Sequence, residues 1–181
     1  MTTHVKVGSS WKDVEEIHVK VGTVWKPVEN AYAKVGTTWK ETYSAGPDWA
    51  NMSIGTEIEG GMFAGIYNNE AIIFYINTGQ EIIDTWQNSI NTWAGLDYNG
   101  YSDWFLPSLD QSNIVATNIV ALDAAGAGGS LSTTSVRFWT STTNPNVSIL
   151  AYQSVFKTPY YIYNGLKTSP CPSRGIRTIA I

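Results

Sequence analysis

The sequence predicts an α+β protein, in which a short meander of β repeats precedes a larger domain with two helices. Three observations lead to this prediction. One nine-residue motif occurs three times within residues 1–43. Two later segments combine a helix-capping pattern with apolar residues at helical spacing. Segments rich in β-branched and aromatic residues lie on both sides of these helices, so strand partners are far apart in the sequence.

The repeated motif, H-V-K-V-G-S-S-W-K in its first copy, predicts two strands joined by a tight turn. It begins at His4, His18 and Tyr32. Alternation of apolar and polar residues is typical of a strand, and glycine permits the turn before a second strand that begins at tryptophan. We therefore expect about six short strands in one meander. The sequence does not define the register of these strands, and we expect a bulge at one position. We also expect lysine stems to stack on the tryptophans.

Equivalent residues of the repeat are 14 positions apart, and we predict that they serve assembly. They are Gly8, Gly22, Gly36, Trp11, Trp25, Trp39, Lys12, Lys26 and Lys40. A repeat this short buries no core of its own, so copies must stack on one another or on other chains. Association of three chains is expected by analogy with fibres, although three repeats in one chain could instead close a pseudo-threefold prism.

Residues 44–59 are predicted to be a linker, because Ser44-Ala45-Gly46-Pro47 interrupts the repeat, and residues 60–181 to be one domain. The domain opens with a predicted hairpin of residues 62–67 and 71–76. A first helix follows, with a capping box at Thr78 and Glu81 and an end at Gly95. Its apolar residues at helical spacing are Ile82, Trp86, Ile90 and Trp93.

A second helix is predicted behind the capping box of Ser108 and Gln111. Val115, Ile119 and Leu122 form its apolar side, and a glycine-rich segment ends it. The remaining predicted strands cover residues 136–141, 149–155, 159–163 and 176–181.

Charge and composition exclude several classes of protein. The net charge is −4, with +1 on residues 1–43 and −5 on the remainder. Neither part has the basic stripe that phosphate neutralisation requires, so we expect no nucleic-acid partner. The single cysteine rules out an intrachain disulfide. We find no signal peptide and no apolar run of about 18 residues, and therefore expect synthesis in a cytoplasm without membrane insertion.

The catalytic residues of common enzymes are missing, and we predict no enzymatic activity. Cys171 has no histidine in its domain to serve as a base, and His4 and His18 occupy equivalent, solvent-facing repeat positions. A glycosidase that uses two carboxylates brought together by the fold is an alternative. The candidates for it are Glu57, Glu59, Asp97, Asp103 and Asp110.

We predict no metal and no cofactor. Asp97, Asn99 and Asp103 share one loop, and their oxygens suit Ca²⁺, which leaves calcium as an alternative. Their spacing does not follow the EF-hand pattern, however, and a turn in which these side chains bond backbone amides explains them better.

Tyrosines are the candidate ligand-binding residues of the domain, because their rings populate binding surfaces. These residues are Tyr98, Tyr101, Tyr160, Tyr161 and Tyr163. Strand alternation places Tyr161 and Tyr163 on one face, which could face solvent, another subunit or the core. Arg174 and Arg177 are three residues apart and are expected to form separate ion pairs.

The segments Trp104–Ser108, Phe138–Thr142 and Arg174–Arg177 resemble the C-terminal domain of the Legionella collagen-like adhesin family, which is related to C-type-lectin-like folds. That family has a G-x-x-D-W-R-L-P-S segment, a Y/F-W-S-S-T strand and a terminal R-x-V-R strand. Phe105 replaces its usual arginine, and Thr140 its usual serine. The resemblance implies a C-type-lectin-like fold for residues 60–181. Its framework positions are Asp103, Trp104, Pro107, Trp139, Arg174 and Arg177.

The repeats resemble the V-K-V-G-x-x-W-K repeats in virion structural and tail-fibre proteins of cyanobacterial phages, which also precede lectin-like domains. Together the two resemblances imply a tail, fibre or baseplate protein, located in the virion. Its partners would be other virion proteins, copies of itself, and a glycan or protein of the host surface. The alternative is a purely structural baseplate or capsid-decorating subunit that has no host ligand.

Overall fold

A computed structural model describes residues 4–7, 9–14, 16–44, 46–76, 81–127, 130–157 and 159–181. The chain divides into two compact units, residues 1–48 and residues 49–181. The predicted α+β, C-type-lectin-like fold class is wrong. The described residues form fifteen strands in six small sheets and two α-helices, so the protein is β-rich. The prediction overstated the helical share because the first helix is shorter than its apolar spacing indicated and because several very short strands carry no sequence signal.

The first unit consists of three hairpins, one for each repeat. They are β1 (His4–Val7) with β2 (Ser10–Asp13), β3 (His18–Val21) with β4 (Val24–Pro27), and β5 (Asn30–Val35) with β6 (Thr38–Ser44). The six expected strands are confirmed. The predicted bulge belonged to a meander in which neighbouring repeats pair, whereas the register shift that is present lies within the third hairpin, between Ala31 and Tyr32. The single meander is wrong, because each strand pairs only within its own repeat in the described part of the chain.

Glycine explains why each hairpin closes upon itself. Gly22 and Gly36 have φ values of 66° and 64°, and each stands in a two-residue turn that brings its strands together at once. Val28 N then donates to Ile17 O at 2.8 Å, which closes the open end of the second hairpin rather than joining it to the next. Gly8, Glu15 and Ala45 lie outside the described residues.

The second unit begins with β7 (Glu57–Ile58), β8 (Gly61–Tyr67), β9 (Glu70–Phe74), β10 (Ile82–Asp84) and α1 (Trp86–Ala94). It continues with α2 (Leu109–Ala124), a 3₁₀ turn (Leu131–Thr133), β11 (Arg137–Thr143) and β12 (Leu150–Val155). It ends with β13 (Tyr161–Leu166), β14 (Cys171–Ser173) and β15 (Ile176–Ala180). The sheets have the antiparallel orders β15-β9-β8-β7, β11-β12-β13 and β10-β14.

The predicted hairpin of the second unit is confirmed as β8 and β9. Asn68 and Asn69 form its two-residue turn, with φ values of 50° and 62°. Asparagine tolerates this left-handed region better than most residues, and two positive φ values in succession match the twist of the strands.

The two helices differ in how well their starts were predicted. Ser108 Oγ accepts from Gln111 N while the Gln111 side chain accepts from Ser108 N, so the capping box of α2 is confirmed. The early start of the first helix is wrong, since α1 begins at Trp86 and residues 82–84 pair with β14 as a strand. Tertiary pairing overrides helical spacing there. Thr78 lies outside the described residues, and the end at Gly95 is confirmed.

The four-stranded sheet separates two apolar clusters. One face of β8 and β9 packs with Val115, Ile119 and Leu122 of α2. The other face packs with three fully buried tryptophans, Trp93, Trp104 and Trp139. Gly175 permits this packing, because a Cβ there would lie 2.6 Å from Trp93 Cζ3. Both faces of the central strands are therefore covered, which gives the second unit a complete core.

Candidate functional site

Each repeat hairpin has two different faces, which the strand register defines. In the second hairpin His18, Lys20, Trp25 and Pro27 share one face, and Val19, Val21, Val24 and Lys26 share the other. The third hairpin repeats the arrangement, with Trp39 opposite Lys34 and Lys40 opposite Ala33. Trp25 and Trp39 are 62% and 64% exposed. The hairpins thus present aromatic and apolar side chains to the surface of their unit.

Lysine stacks on tryptophan across both of these hairpins. Lys20 Nζ lies 5.9 Å from the ring centroid of Trp25, and Lys34 Nζ lies at the same distance from that of Trp39. The stacked lysine is the cross-strand partner of the tryptophan rather than the lysine that follows it. Lys12, Lys26 and Lys40 lie opposite Val5, Val19 and Ala33. The side chain of Trp11 is outside the described part.

In the second unit, Arg177 joins three segments that are distant in sequence. Its Nε and Nη2 donate to the two carboxylate oxygens of Asp103 at 2.7 and 3.0 Å, and its Nη1 donates to Glu59 O at 2.8 Å. The guanidinium also lies 3.8 Å from the ring centroid of Tyr101. The hydrogen bonds from Arg177 hold the pKa of Asp103 below its usual value. This group holds β15 against the loop before Trp104.

The remaining framework positions also make structural contacts. Arg174 is buried, donates to Ala127 O at 3.2 Å and pairs with Glu81 at 3.4 Å, so the two arginines form separate ion pairs as predicted. Pro107 O accepts from Ser141 N at 2.8 Å. Trp139 Nε1 donates to Asp84 O at 3.0 Å, which fixes the ring over its strand.

The candidate carboxylates separate into different surroundings. Glu59 and Asp103 meet at Arg177, whereas Asp110 accepts from the Tyr67 hydroxyl at 3.0 Å on α2. Glu57 and Asp97 are exposed. Since its pKa is lowered, Asp103 is ionised at neutral pH and is not a proton donor there. The Asn99 amide donates to Gly60 O, and no group of three or more His, Cys, Asp or Glu in the described chain is arranged to hold a metal.

Three of the five candidate tyrosines contact other residues of the second unit and stabilise its fold. The Tyr98 hydroxyl donates to Ile76 O at 2.8 Å, and its ring packs against Tyr75 and Trp104. Tyr101 stacks on Arg177, as described above. The Tyr160 hydroxyl donates to Leu109 O at 3.0 Å, and burial raises the pKa of Tyr160 to about 12.

Tyr161 and Tyr163 are the exposed pair among the candidates. They lie on β13, which pairs only with β12 among the described strands, and they are 44% and 36% exposed. Their partners in β12 are Val155 and Gln153, which places both tyrosines on the same face of the sheet. Of the three alternatives left by the sequence, the structure of the single chain shows both tyrosines at the surface.

Arg137, Gln153 and Gly165 adjoin these tyrosines and were not identified from the sequence. The Arg137 guanidinium lies 4.0 Å from the ring centroid of Tyr163. Gln153 pairs with Tyr163 across the strands, and a Cβ on Gly165 would lie 2.6 Å from both Gln153 Cδ and Trp139 Cη2. A glutamine between Ala151 and Val155 on an apolar strand face was the available signal for this site.

Among the described residues, Cys171 and His18 have no neighbours that would activate them for catalysis. Cys171 is buried, and burial raises the pKa of its thiol to about 11, so the thiolate is scarce at neutral pH. His18 is exposed and lies 3.4 Å from Glu16. His4 is also exposed.

No family model matches the chain, and no curated protein sequence matches it. Neither helix in the described part is long and apolar enough to cross a membrane.

Proposed function

We propose that the chain is a structural protein of a phage virion tail, fibre or baseplate. In this proposal the three hairpins attach the protein to other virion subunits, which include copies of itself, and the second unit binds a receptor on the host surface. The observation that carries the proposal is the exposure of tryptophan and valine on both faces of the repeat hairpins.

The hairpins need a partner for physical reasons. An isolated two-stranded hairpin is marginally stable in water, and these hairpins have no second layer of strands to cover either face within the described residues. Full burial of one valine or a comparable apolar side chain stabilises a structure by about 1.5–3 kcal/mol. A surface that covers Val21 and Val24 on one face of the second hairpin therefore gains about 3 kcal/mol or more, and a surface that covers Trp25 on the other face gains a further contribution. This supports attachment as the role of the repeats.

The second unit supports a receptor-binding role through Tyr161 and Tyr163. Tyrosine contributes a large contact area and a hydrogen-bonding group at little entropic cost, which suits recognition surfaces. A subunit that has no host ligand is the second candidate. The edge of β13 that pairs with no other described strand also suits pairing with a strand of a neighbouring subunit.

The first experiment locates the protein in intact particles with antibodies raised against the full chain. Labelling at the distal end of the tail is expected for a receptor-binding component. Labelling confined to the capsid or to the particle interior would contradict the proposed function. Labelling along the tail shaft would favour the second candidate.

The second experiment tests the hairpins. Particles are grown with the double substitution Trp25→Ser and Trp39→Ser, and incorporation is expected to fall at least tenfold. Thr23→Ser, in the turn of the second hairpin, is the matched control and should be incorporated normally. Normal incorporation of the double variant would remove the hairpins from the attachment surface.

A further inference from the structure

We propose that the sheet face formed by Arg137, Gln153, Tyr161 and Tyr163 binds a sugar that bears a carboxylate group. The inference deepens the proposed receptor-binding function and rests on it. It names the chemical class of the ligand and two residues, Arg137 and Gln153, that bind it together with the tyrosines.

The strand register brings the four side chains together. Arg137, Val155 and Tyr161 form one cross-strand row, and Trp139, Gln153 and Tyr163 form the next row on the same face. Arg137 is on β11, while the ring on which it stacks is on β13. Neighbouring strands are about 4.8 Å apart, so the Arg137 side chain must cross β12 to reach Tyr163. It therefore passes over the row that contains Gln153.

The Arg137 guanidinium has N–H donors that form no ion pair with any residue in the described part of the chain, and the residue is exposed. The two other arginines of the unit are both occupied, since Arg174 pairs with Glu81 and Arg177 with Asp103. A guanidinium that lies over a tyrosine ring keeps N–H donors available, from which a carboxylate accepts two parallel hydrogen bonds.

Gln153 is the second observation that points to a ligand. The residue is 7% exposed, and its carboxamide makes no hydrogen bond within the described structure. Its amide atoms are not among the fully buried polar atoms that lack a partner, so the amide reaches the surface, where a ligand can contact it. Gly165 leaves the space that the carboxamide occupies, because a Cβ at that position would lie 2.6 Å from Gln153 Cδ. The amide offers two donors and one acceptor to a ligand that reaches it from the side of Tyr163.

The combination fits a sugar better than a polyanion or an apolar peptide. Exposed tyrosine rings match the apolar face of a pyranose, a carboxamide matches its hydroxyl groups, and a single guanidinium fork matches one carboxylate. Residues 49–181 carry five basic and nine acidic residues, so the second unit lacks the positive field that general polyanion binding requires.

The test measures binding of the full chain to oligogalacturonate by calorimetry, with methyl-esterified oligogalacturonate as the uncharged match and dextran sulfate as a general polyanion. We expect the methyl ester to bind at least tenfold more weakly. Arg137→Gln should lose at least tenfold in affinity for oligogalacturonate, whereas Lys26→Gln, which removes the same charge from the first unit, should change it less than twofold.

Gln153→Met separates binding from folding. Methionine fills nearly the same volume and needs no hydrogen-bond partner, so the melting temperature should stay equal or rise while affinity falls at least tenfold. A clear drop in melting temperature would assign the amide a structural role and overturn its place in the site.

The remaining outcomes distinguish this inference from the proposed function. The carboxylate claim would be overturned by equal binding of the acid and its methyl ester. It would also be overturned if dextran sulfate bound as tightly as oligogalacturonate and lost this affinity in Arg137→Gln. If oligogalacturonate does not bind but labelled protein binds host cells through Tyr161 and Tyr163, the ligand class is wrong and the receptor-binding function stands. If neither binds, both are wrong.

Discussion

The tryptophans of the two units have opposite surroundings. Trp25 and Trp39 lie on two-stranded hairpins with most of their surface exposed, whereas Trp93, Trp104 and Trp139 are fully buried against the four-stranded sheet. Local chemistry is enough to shape the hairpins, because a glycine turn and alternation define them. It does not stabilise them, since stabilisation by burial requires a second layer. The second unit contains that layer, whereas the described hairpins of the first unit leave their tryptophans and valines exposed.

The largest effect is expected from a substitution of a buried tryptophan in the core of the second unit. Trp93→Ala removes a buried ring and its hydrogen bond from Nε1 to Ser173 Oγ at 2.9 Å. We expect it to lower the free energy of unfolding of the second unit by about 3–5 kcal/mol. Trp39→Ala is the matched control and should leave that transition unchanged in urea unfolding followed by fluorescence. Similar losses in the two variants would refute the contrast between the units.

A smaller effect tests the close packing of the same ring. Gly175→Ala places a methyl group against Trp93 and should lower the free energy of unfolding by about 1–3 kcal/mol, because the ring must move. In Gly95→Ala the new Cβ would meet its nearest neighbour, Asn91 O, at 3.4 Å, so that variant serves as the control, with little expected change. Thermal unfolding of both variants gives the comparison. An unchanged melting temperature for Gly175→Ala would show that the core beside Trp93 is looser than described.

The next effect depends on pH and sharpens the role of Arg177. Because the pKa of Asp103 is lowered in the folded state, the unfolded chain binds more protons, and stability rises with pH. This contribution is present above the unfolded value of about 4 and is lost as pH falls through the lower folded value. We expect Asp103→Asn to lower the free energy of unfolding by about 1 kcal/mol at pH 7, a small effect because the carboxylate is partly exposed. The difference in unfolding free energy between variant and wild type should shrink below pH 4. A difference that persists at pH 2.5 would contradict this assignment.

The smallest effect is expected within the hairpins. Lys34→Gln removes the cation from the ring of Trp39, an exposed contact worth about 0.5–1 kcal/mol. The Trp39 indole resonance should shift in NMR spectra, while Lys40→Gln, which changes the opposite face, should leave it in place. Identical spectra for wild type and Lys34→Gln would show that the stacking does not persist in solution.

Sequence reasoning succeeded where one short segment determines its own structure. The turn at Asn68-Asn69, the capping box of Ser108 and Gln111 and the buried side of α2 all depend on residues within a few positions of one another. It failed where distant contacts decide. Ile82 continues the helical spacing of Trp86 and Ile90, yet residues 82–84 form a strand that pairs with Cys171–Ser173. No local sequence pattern predicts that partner.

The candidate site shows the same limit. Alternation placed Tyr161 and Tyr163 on one face, and the structure agrees. Arg137 and Gln153 reach that face only through the pairing of β11, β12 and β13, which the sequence does not specify. Conversely, Tyr98 and Tyr160 resembled surface tyrosines until their hydroxyl partners, Ile76 O and Leu109 O, were known.

The separation of the repeats into self-contained hairpins has an evolutionary consequence. No strand pairing crosses from one 14-residue copy to the next in the described chain. Unequal recombination could therefore delete or duplicate a whole copy without breaking a ladder or shifting a register. Selection can therefore change the number of repeats one copy at a time, without any change in residues 49–181.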